Sequence, residues 1–502
     1  MTSRKLCCAL MTPAIFCALL ESAAAGDWPG FRGSAGDGIA QKEKSPIWFN
    51  ASSNLLWRVE VRPGLSSPVI REGKIFLTAE DGKKLITACH DARTGKLIWE
   101  KFVEVEKLEP VHKANSHATS TPVTDGKALY AYFGSFGLVA YDREGKELWR
   151  KPLPIPQTFF NQGSGTSPVL ADGKLVVFVQ SGSDSHLLAV NPKDGGEIWK
   201  AAMPLYNNSY ATPVGWLENG KHLIGLPCAE RFTAFDLADG KEAWWIDGIG
   251  YQVCSTPVAT PDSLIIAVAG VQGEVSNITP PPRFEEMTKK YDQDADGLLA
   301  FEEIPPELLY TDRQTSDGRG NMPMRQALGM FGRVKKGDKM DRKRWEEIRA
   351  TLSGFRTGPM NRTTVLSVRT GGKGDVTQSH VSWKETKGVP EVPSPLAWQD
   401  RLYLVRSGGF LVCRDLKNGK LIYEERLDSP GGYFASPTLV DGNIYVASDH
   451  GTVTVIKSGD SFQVMARNEL TDPILASPAV SGDTLYIRSA KQLLAFRGGG
   501  SN

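Results

Sequence analysis

Four carboxylates at fixed spacing carry the clearest chemistry in the chain. Asp292, Asp294, Asp296 and Glu303 hold the first, third, fifth and twelfth places of the run Asp292-Gln-Asp294-Ala-Asp296-Gly297-Leu298-Leu299-Ala300-Phe-Glu-Glu303. Hard oxygen ligands so spaced can wrap a divalent cation of calcium's size. The aspartates supply carboxylate oxygens, the seventh residue its backbone carbonyl and the final glutamate two oxygens. The expected metal ligands are therefore Asp292, Asp294, Asp296, Leu298 and Glu303, and the expected cofactor is one Ca2+. Gly297 permits the sharp turn, and Ala300 in the ninth place leaves that ligand to water. The alternative is an acidic surface loop, against which the helical pattern in front and the agreement of every ligand position count.

A helix must lead into such a loop, and the pattern Phe284-Glu-Glu-Met287-Thr-Lys-Lys-Tyr291 supplies one. Loops of this kind, EF-hands, usually pair. A second helical stretch, Met324 to Val334, leads into Lys336-Gly337-Asp338-Lys339-Met340-Asp341-Arg342-Lys343-Arg344-Trp345. Aligning the two loops puts Met340 opposite Leu299. It also puts Arg333, Lys335 and Arg344 where carboxylates are needed, so the second loop is expected to be a structural partner and the chain to bind one ion. Pro305-Pro306 interrupts the first loop's exit helix.

The frame that carries these loops is a repeat. Ser66-Ser67-Pro68-Val69 recurs as Ser120-Thr121-Pro122-Val123, Thr166-Ser167-Pro168-Val169, Ala211-Thr212-Pro213-Val214, Ser255-Thr256-Pro257-Val258, Pro393-Ser394-Pro395-Leu396, Ala435-Ser436-Pro437-Thr438 and Ala476-Ser477-Pro478-Ala479. Successive prolines stand 54, 46, 45, 44, 138, 42 and 41 residues apart. Each motif leads to an Asp-Gly-type turn, an alternating apolar run, a second short run and then Asp-x-x-x-Gly-x-x-x-Trp or a close variant. Asp91 to Trp99, Asp142 to Trp149, Asn191 to Trp199, Asp236 to Trp244 and Asp415 to Tyr423 are the copies. Four short strands in about 45 residues make one propeller blade.

Proline is tolerated at a strand start, where its missing N–H costs no ladder bond. Asp-Gly supplies the positive φ of a tight hairpin. The outer-strand tryptophan fills the gap between twisted neighbours, at about 25 cal/mol per Å² of apolar surface buried. The expected fold is all-β: an eight-bladed β-propeller of four-stranded antiparallel blades with a small α-helical insertion. Trp57 lies in an outer strand that precedes the first motif, and the last repeat stops at Leu494-Ala495-Phe496-Arg497 without one. The N-terminal strand should therefore close the last blade. The expected divisions are 1–25 signal peptide, 26–53 N-terminal extension, 54–278 first propeller part, 279–360 insertion and 361–498 second propeller part.

The 502 residues carry a net charge of +1, with 58 Lys and Arg against 57 Asp and Glu. No basic field exists to hold nucleic acid. Arg4 and Lys5, an apolar run from Leu6 to Leu20 and Ala23-Ala24-Ala25 read as a cleaved secretory signal. The chain is thus expected to cross the inner membrane and to be periplasmic or extracellular, with no transmembrane segment once mature. Loss of two cations and one anion takes the charge from +1 to zero. Cys89, Cys228, Cys254 and Cys413 remain, forming neither a disulfide scaffold nor a CxxC pair. Cys89 and Cys413 fall in a small buried slot that Ala140, Ala189 and Ala234 fill in other repeats. His117, His380 and His450 are scattered singly and read as loop residues. Four N-x-S/T sequons, at Asn50, Asn207, Asn277 and Asn361, matter only in a glycosylating host.

The Asp-x-x-x-Gly-x-x-x-Trp outer strands resemble the tryptophan-docking motif of pyrroloquinoline-quinone (PQQ) repeat propellers. Asp27-Trp-Pro-Gly-Phe-Arg-Gly33 and Val376-Thr-Gln-Ser-His380-Val-Ser-Trp383 resemble segments of bacterial exported members described as BamB-like. The resemblance implies one of two functions. Quinoprotein dehydrogenases hold PQQ and calcium on the axis, and some carry a vicinal disulfide. BamB-like members bind protein partners in the cell envelope, at the outer-membrane assembly machinery. The only adjacent cysteines here, Cys7 and Cys8, lie in the signal segment, and no tryptophan is assigned to a quinone. A non-catalytic, monomeric protein-interaction scaffold is expected and PQQ is not; a PQQ-dependent alcohol or sugar dehydrogenase is the alternative.

Overall fold

In the first repeat the strands Val69–Arg71, Lys74–Asp81, Lys84–Asp91 and Leu97–Glu104 pair antiparallel in that order. The two middle strands are buried along most of their length because a neighbouring sheet covers each face, so their apolar runs are nearly continuous. The outer strand alternates, burying Trp99 and exposing Leu97 and Ile98. The computed structural model describes residues 26–498 apart from 159–160, 204–207, 271–276, 279–280, 313–321, 358–361 and 430. The expected signal segment, 1–25, lies outside the described residues.

Eight such sheets form the ring. Leu55–Glu60 is the outer strand of the eighth blade, pairing with Gln492–Arg497 so that Trp57 faces Ala495, as the sequence predicts. The tryptophans face small residues throughout: Cys89 opposes Trp99, Ala140 Trp149, Ala189 Trp199, Ala234 Trp244 and Cys413 Tyr423. Five of the indoles then dock on the next blade through a hydrogen bond. Trp57 Nε1 donates to Ala92 O (3.2 Å), Trp99 to Arg143 O (3.0 Å), Trp149 to Pro192 O (2.8 Å), Trp199 to Leu237 O (3.0 Å) and Trp383 to Leu416 O (2.9 Å). A Cβ at Gly95 would lie 2.5 Å from the Trp57 ring, which is why the repeat keeps glycine there.

The residue before each motif proline ties the inner rim together. Ser67 N–H donates to the Thr121 hydroxyl, Thr121 to Ser167, Ser167 to Thr212, Thr212 to Thr256, Thr256 to Ser394, Ser394 to Ser436, Ser436 to Ser477 and Ser477 back to Ser67, all at 2.9–3.1 Å. Eight bonds close a circle, so the blade number is built into the hydrogen bonding.

The seventh blade has Ala466 where the others carry an aromatic, opposite Val455. The N-terminal extension fills the space left. The Phe49 ring packs tilted against Phe496, centroids 4.7 Å apart, and the Phe49 N–H donates to Asn468 Oδ1 (2.9 Å). Further upstream the same extension crosses the ring. Pro29 O accepts Thr124 N–H of blade 2 (2.9 Å), and Arg32 Nη2 donates to Pro395 O of blade 6 (2.6 Å). Blades 2 and 6 are diametrically opposite, so the segment spans the axis. It also pairs Trp28 with Ile70 of blade 1 and runs Ile39–Ala40 parallel to Leu439 and Val440 of blade 7.

The insertion interrupts blade 5 between Ser263–Val268 and Thr364–Arg369, which pair directly. That junction lies at the opposite end of the strands from the N-terminal crossing. Asn277–Ile278 already pairs with Leu309–Asp312, so the excursion has begun two residues before the expected 279. Three helices, α1 (Phe284–Tyr291), α2 (Met324–Phe331) and α3 (Arg342–Thr357), share a core with Met287, Leu299, Leu328, Met340, Trp345 and Ile348. α1 occupies the residues expected of it. The exit helix of the first loop is a single 3-10 turn, Phe301–Glu303, stopped by Pro305-Pro306.

Candidate metal centre

The loop at 292–303 is shaped before any ion is considered. Gly297 takes φ +81° and its N–H donates to Asp292 Oδ2 (3.0 Å), folding the loop back on its first carboxylate. Leu298 N–H donates to Asp296 Oδ1 (2.8 Å). Glu303 reaches back from the 3-10 turn: Oε1 accepts Gln293 N–H and Oε2 accepts Ala300 N–H, both at 2.7 Å. Carboxylate oxygens of Asp292, Asp294 and Asp296 lie within 4.8 Å of one another. Asp292 Oδ1 is buried with no hydrogen-bond partner among the described residues. Converging anions with one orphaned buried oxygen suit a hard cation, which would relieve both their repulsion and the orphan's desolvation.

The second loop lies alongside. Leu299 and Met340 pair across it, with Ala300 opposite Lys339, in the register the alignment predicts. Both apolar side chains are buried, which pins the two loops to each other. Lys339 then crosses over: its Nζ is 2.7 Å from Asp294 Oδ2 and also bonds Asp296 Oδ2. This ammonium holds the Asp294 carboxyl below its usual range, and the two aspartates raise the lysine's pKa. Sequence reasoning missed Lys339 because only pairing between loops brings it to the aspartates.

The other candidate groups are occupied or inert. Burial pushes the Cys89 thiol up to about 12 and the Cys413 thiol to about 11, as a small apolar slot should. His117 spends both ring nitrogens, Nδ1 on Glu80 Oε2 (2.6 Å) and Nε2 on Glu109 O (3.0 Å). His380 sits in an exposed turn with Nδ1 2.8 Å from Ser379 Oγ. Among the described residues no helix is long and apolar enough to cross a membrane.

The propeller is what known proteins share with this chain. The family described as outer membrane protein assembly factor BamB matches residues 47–244 and 361–497, on either side of the helical insertion. The chain belongs to this family. A BamB from Kangiella koreensis is 34% identical over 203 residues, 40% of this chain and 47% of that protein. One from Shewanella oneidensis is 26% identical over 103 residues, 20% of this chain and 25% of that one. The chain therefore spans less than half the length of these BamB relatives. The crystal structure of BamB from Moraxella catarrhalis superposes with a TM-score of 0.53 at 12% identity, covering 89% of this chain and 98% of that one. A europium-containing methanol dehydrogenase gives 0.50 at 10% identity, covering 94% and 98%. At such identities the likeness to these two structures is one of fold alone.

Proposed function

We propose that this protein is an exported, cell-envelope scaffold of the BamB type. It binds protein partners of the outer-membrane assembly machinery as a monomer and holds one calcium ion in the insertion. The observation that carries the scaffold reading is the row of open outer strands. Leu55–Glu60, Leu97–Glu104, Glu147–Pro152 and Glu197–Ala202 each end their sheet, with no further strand beside them among the described residues. The residue before each tryptophan on these edges is apolar and exposed: Leu56, Ile98, Leu148 and Ile198 are 42–48% accessible. Unpaired backbone beside apolar side chains suits a partner that adds a strand. The eight inner-rim hydroxyls are already spent on neighbouring blades, which leaves edges and loops to meet the partner.

For calcium, Asp292, Asp294, Asp296, the Leu298 carbonyl and Glu303 would hold the ion. A bound divalent cation would neutralise the acidic cluster and brace the loop; the protein's own contribution is the Leu299–Met340 pairing that holds the loop in place.

Co-isolation with purified envelope assembly proteins tests the scaffold reading. The double change Ile98→Lys and Ile198→Lys should weaken it without unfolding the ring, and undiminished binding would remove the edge from the interface. Adding PQQ and calcium tests the alternative: a bound quinone spectrum with dye-linked alcohol oxidation would overturn the scaffold reading.

A further inference from the structure

We propose that Lys339 is a tethered cation that competes with calcium for the first loop and sets how tightly the ion is held; this rests on the calcium reading above. The ammonium occupies oxygens of the third and fifth ligands, Asp294 Oδ2 and Asp296 Oδ2. An ion drawing on those aspartates would meet a second positive charge a few ångströms away, and like charges at that distance repel strongly. One of the two cations must move.

Only the lysine is built to move. Its backbone is fixed by the pairing of Ala300 with Lys339, and Met340 beside it is buried against Leu299. Its head is on a flexible four-carbon stem, and its side chain is 41% exposed, so a path to solvent is open. The second loop offers Arg333, Lys335 and Arg344 in place of ligands, so it has no ion of its own to organise and its seventh-place side chain can cross to the neighbour.

The lysine covers only part of the site. Asp292 and Glu303 make no contact with it: Asp292 Oδ2 and both Glu303 oxygens accept backbone N–H groups, and Asp292 Oδ1 has no partner among the described residues. The remaining acidic charge still draws a divalent ion, while the tethered ammonium lowers its affinity. Calcium binding then releases Lys339 from the first loop. Ion occupancy is thereby transmitted to the second loop, which also touches the first through Gly337 N–H donating to Glu302 Oε1 (2.8 Å).

Calorimetric titration of calcium into the full chain tests this, comparing the wild type with Lys339→Met, Lys339→Gln and Glu303→Gln. Both lysine variants should bind one ion a few-fold to about tenfold more tightly, the scale of two exposed ion pairs. Glu303→Gln should lose binding. Equal or weaker binding by both lysine variants would overturn the competition and leave the calcium site standing. No binding by any protein, with melting unchanged, would overturn the calcium reading and the competition with it. A second readout follows the lysine directly. Calcium should raise acetylation of Lys339 by an N-hydroxysuccinimide ester several-fold, measured by mass spectrometry against the other lysines. Binding without any change in labelling would mean that the ammonium stays where it is, against the proposal.

Discussion

The hydroxyl of Ser67 accepts the backbone N–H of Ser477 at 3.1 Å, across 410 residues of chain. It is the bond that shuts the inner circle, and it joins blade 8 to blade 1 beside the strand exchange that brings Leu55–Glu60 to Gln492–Arg497. Ser67 is buried, so Ser67→Ala would leave the Ser477 N–H unsatisfied, at a cost of about 1–3 kcal/mol. Ser67→Thr should be close to neutral, since Thr121, Thr212 and Thr256 fill the same place in other blades. Denaturant midpoints of the two variants check this; equal losses would mean that the hydroxyl is not the stabilising group.

A chain ending before Ser477 removes the whole seam. It strips the inner three strands of blade 8 and leaves Leu55–Glu60 without its partner. Such a truncation should lose the single cooperative transition and expose sheet edges on both sides of the gap. A soluble product with a sharp thermal transition would show that closure is dispensable.

The docking glycines separate two costs that usually come together. Gly95 has φ +73° and a Cβ there would strike Trp57 at 2.5 Å, whereas Gly73 has φ +76° with nothing within 4 Å. Gly73→Ala should cost only the left-handed backbone, about 1 kcal/mol. Gly95→Ala should cost about 2 kcal/mol more, because the ring must leave its carbonyl partner or the blades must part. Matching losses in the two variants would show that the indole yields freely.

Periodicity made the ring legible, because each blade repeats one solution to one packing problem. The eight prolines marked the strand starts and Trp57 marked the closing strand. The residue before each proline, whose hydroxyl and N–H carry the rim, has no such mark of its role in the sequence. That role requires two blades side by side, which one repeat cannot show. Trp244 is buried, but its Nε1 has no acceptor among the described residues, because blade 5 lacks the Asp-x-x-x-Gly turn and instead runs Gly374–Asp375 parallel to Trp244 and Trp245. The crossing by Pro29 and Arg32 has no period at all, and its partners are distant in sequence. In the insertion, α1 and the Leu299–Met340 pair could be read from local pattern, and Lys339 could not.

Glu109 makes stability depend on pH in an identifiable direction. It is buried, and burial is the main cause that raises its carboxyl pKa, against the opposing bonds from Ser164 N–H and Oγ at 2.9 Å. A folded pKa above the unfolded one means that the folded state binds more protons, so this group's contribution is full below the unfolded pKa and lost as pH rises through the folded one. Glu109→Gln should therefore melt higher than the wild type at pH 7, with the gap narrowing toward pH 4. A gap that does not change with pH would assign Glu109 an ordinary pKa.

The calcium loop yields the most direct prediction. Asp292 carries the orphaned oxygen and also receives the Gly297 N–H, so Asp292→Ala removes a ligand and the turn together. Glu303→Gln is gentler. One amide oxygen can still accept from a backbone N–H, but the charge and the second ligand oxygen are gone. Both variants should abolish binding of one ion per chain, while Glu303→Gln keeps the helicity of α1 and α3 without calcium and Asp292→Ala loses part of it. The propeller should melt unchanged in both, because the insertion's core shares no residue with the core clusters of the blades. Calorimetry with and without a chelator, beside far-ultraviolet circular dichroism, gives both readouts. Wild-type affinity retained in Glu303→Gln would take the ion away from this loop altogether.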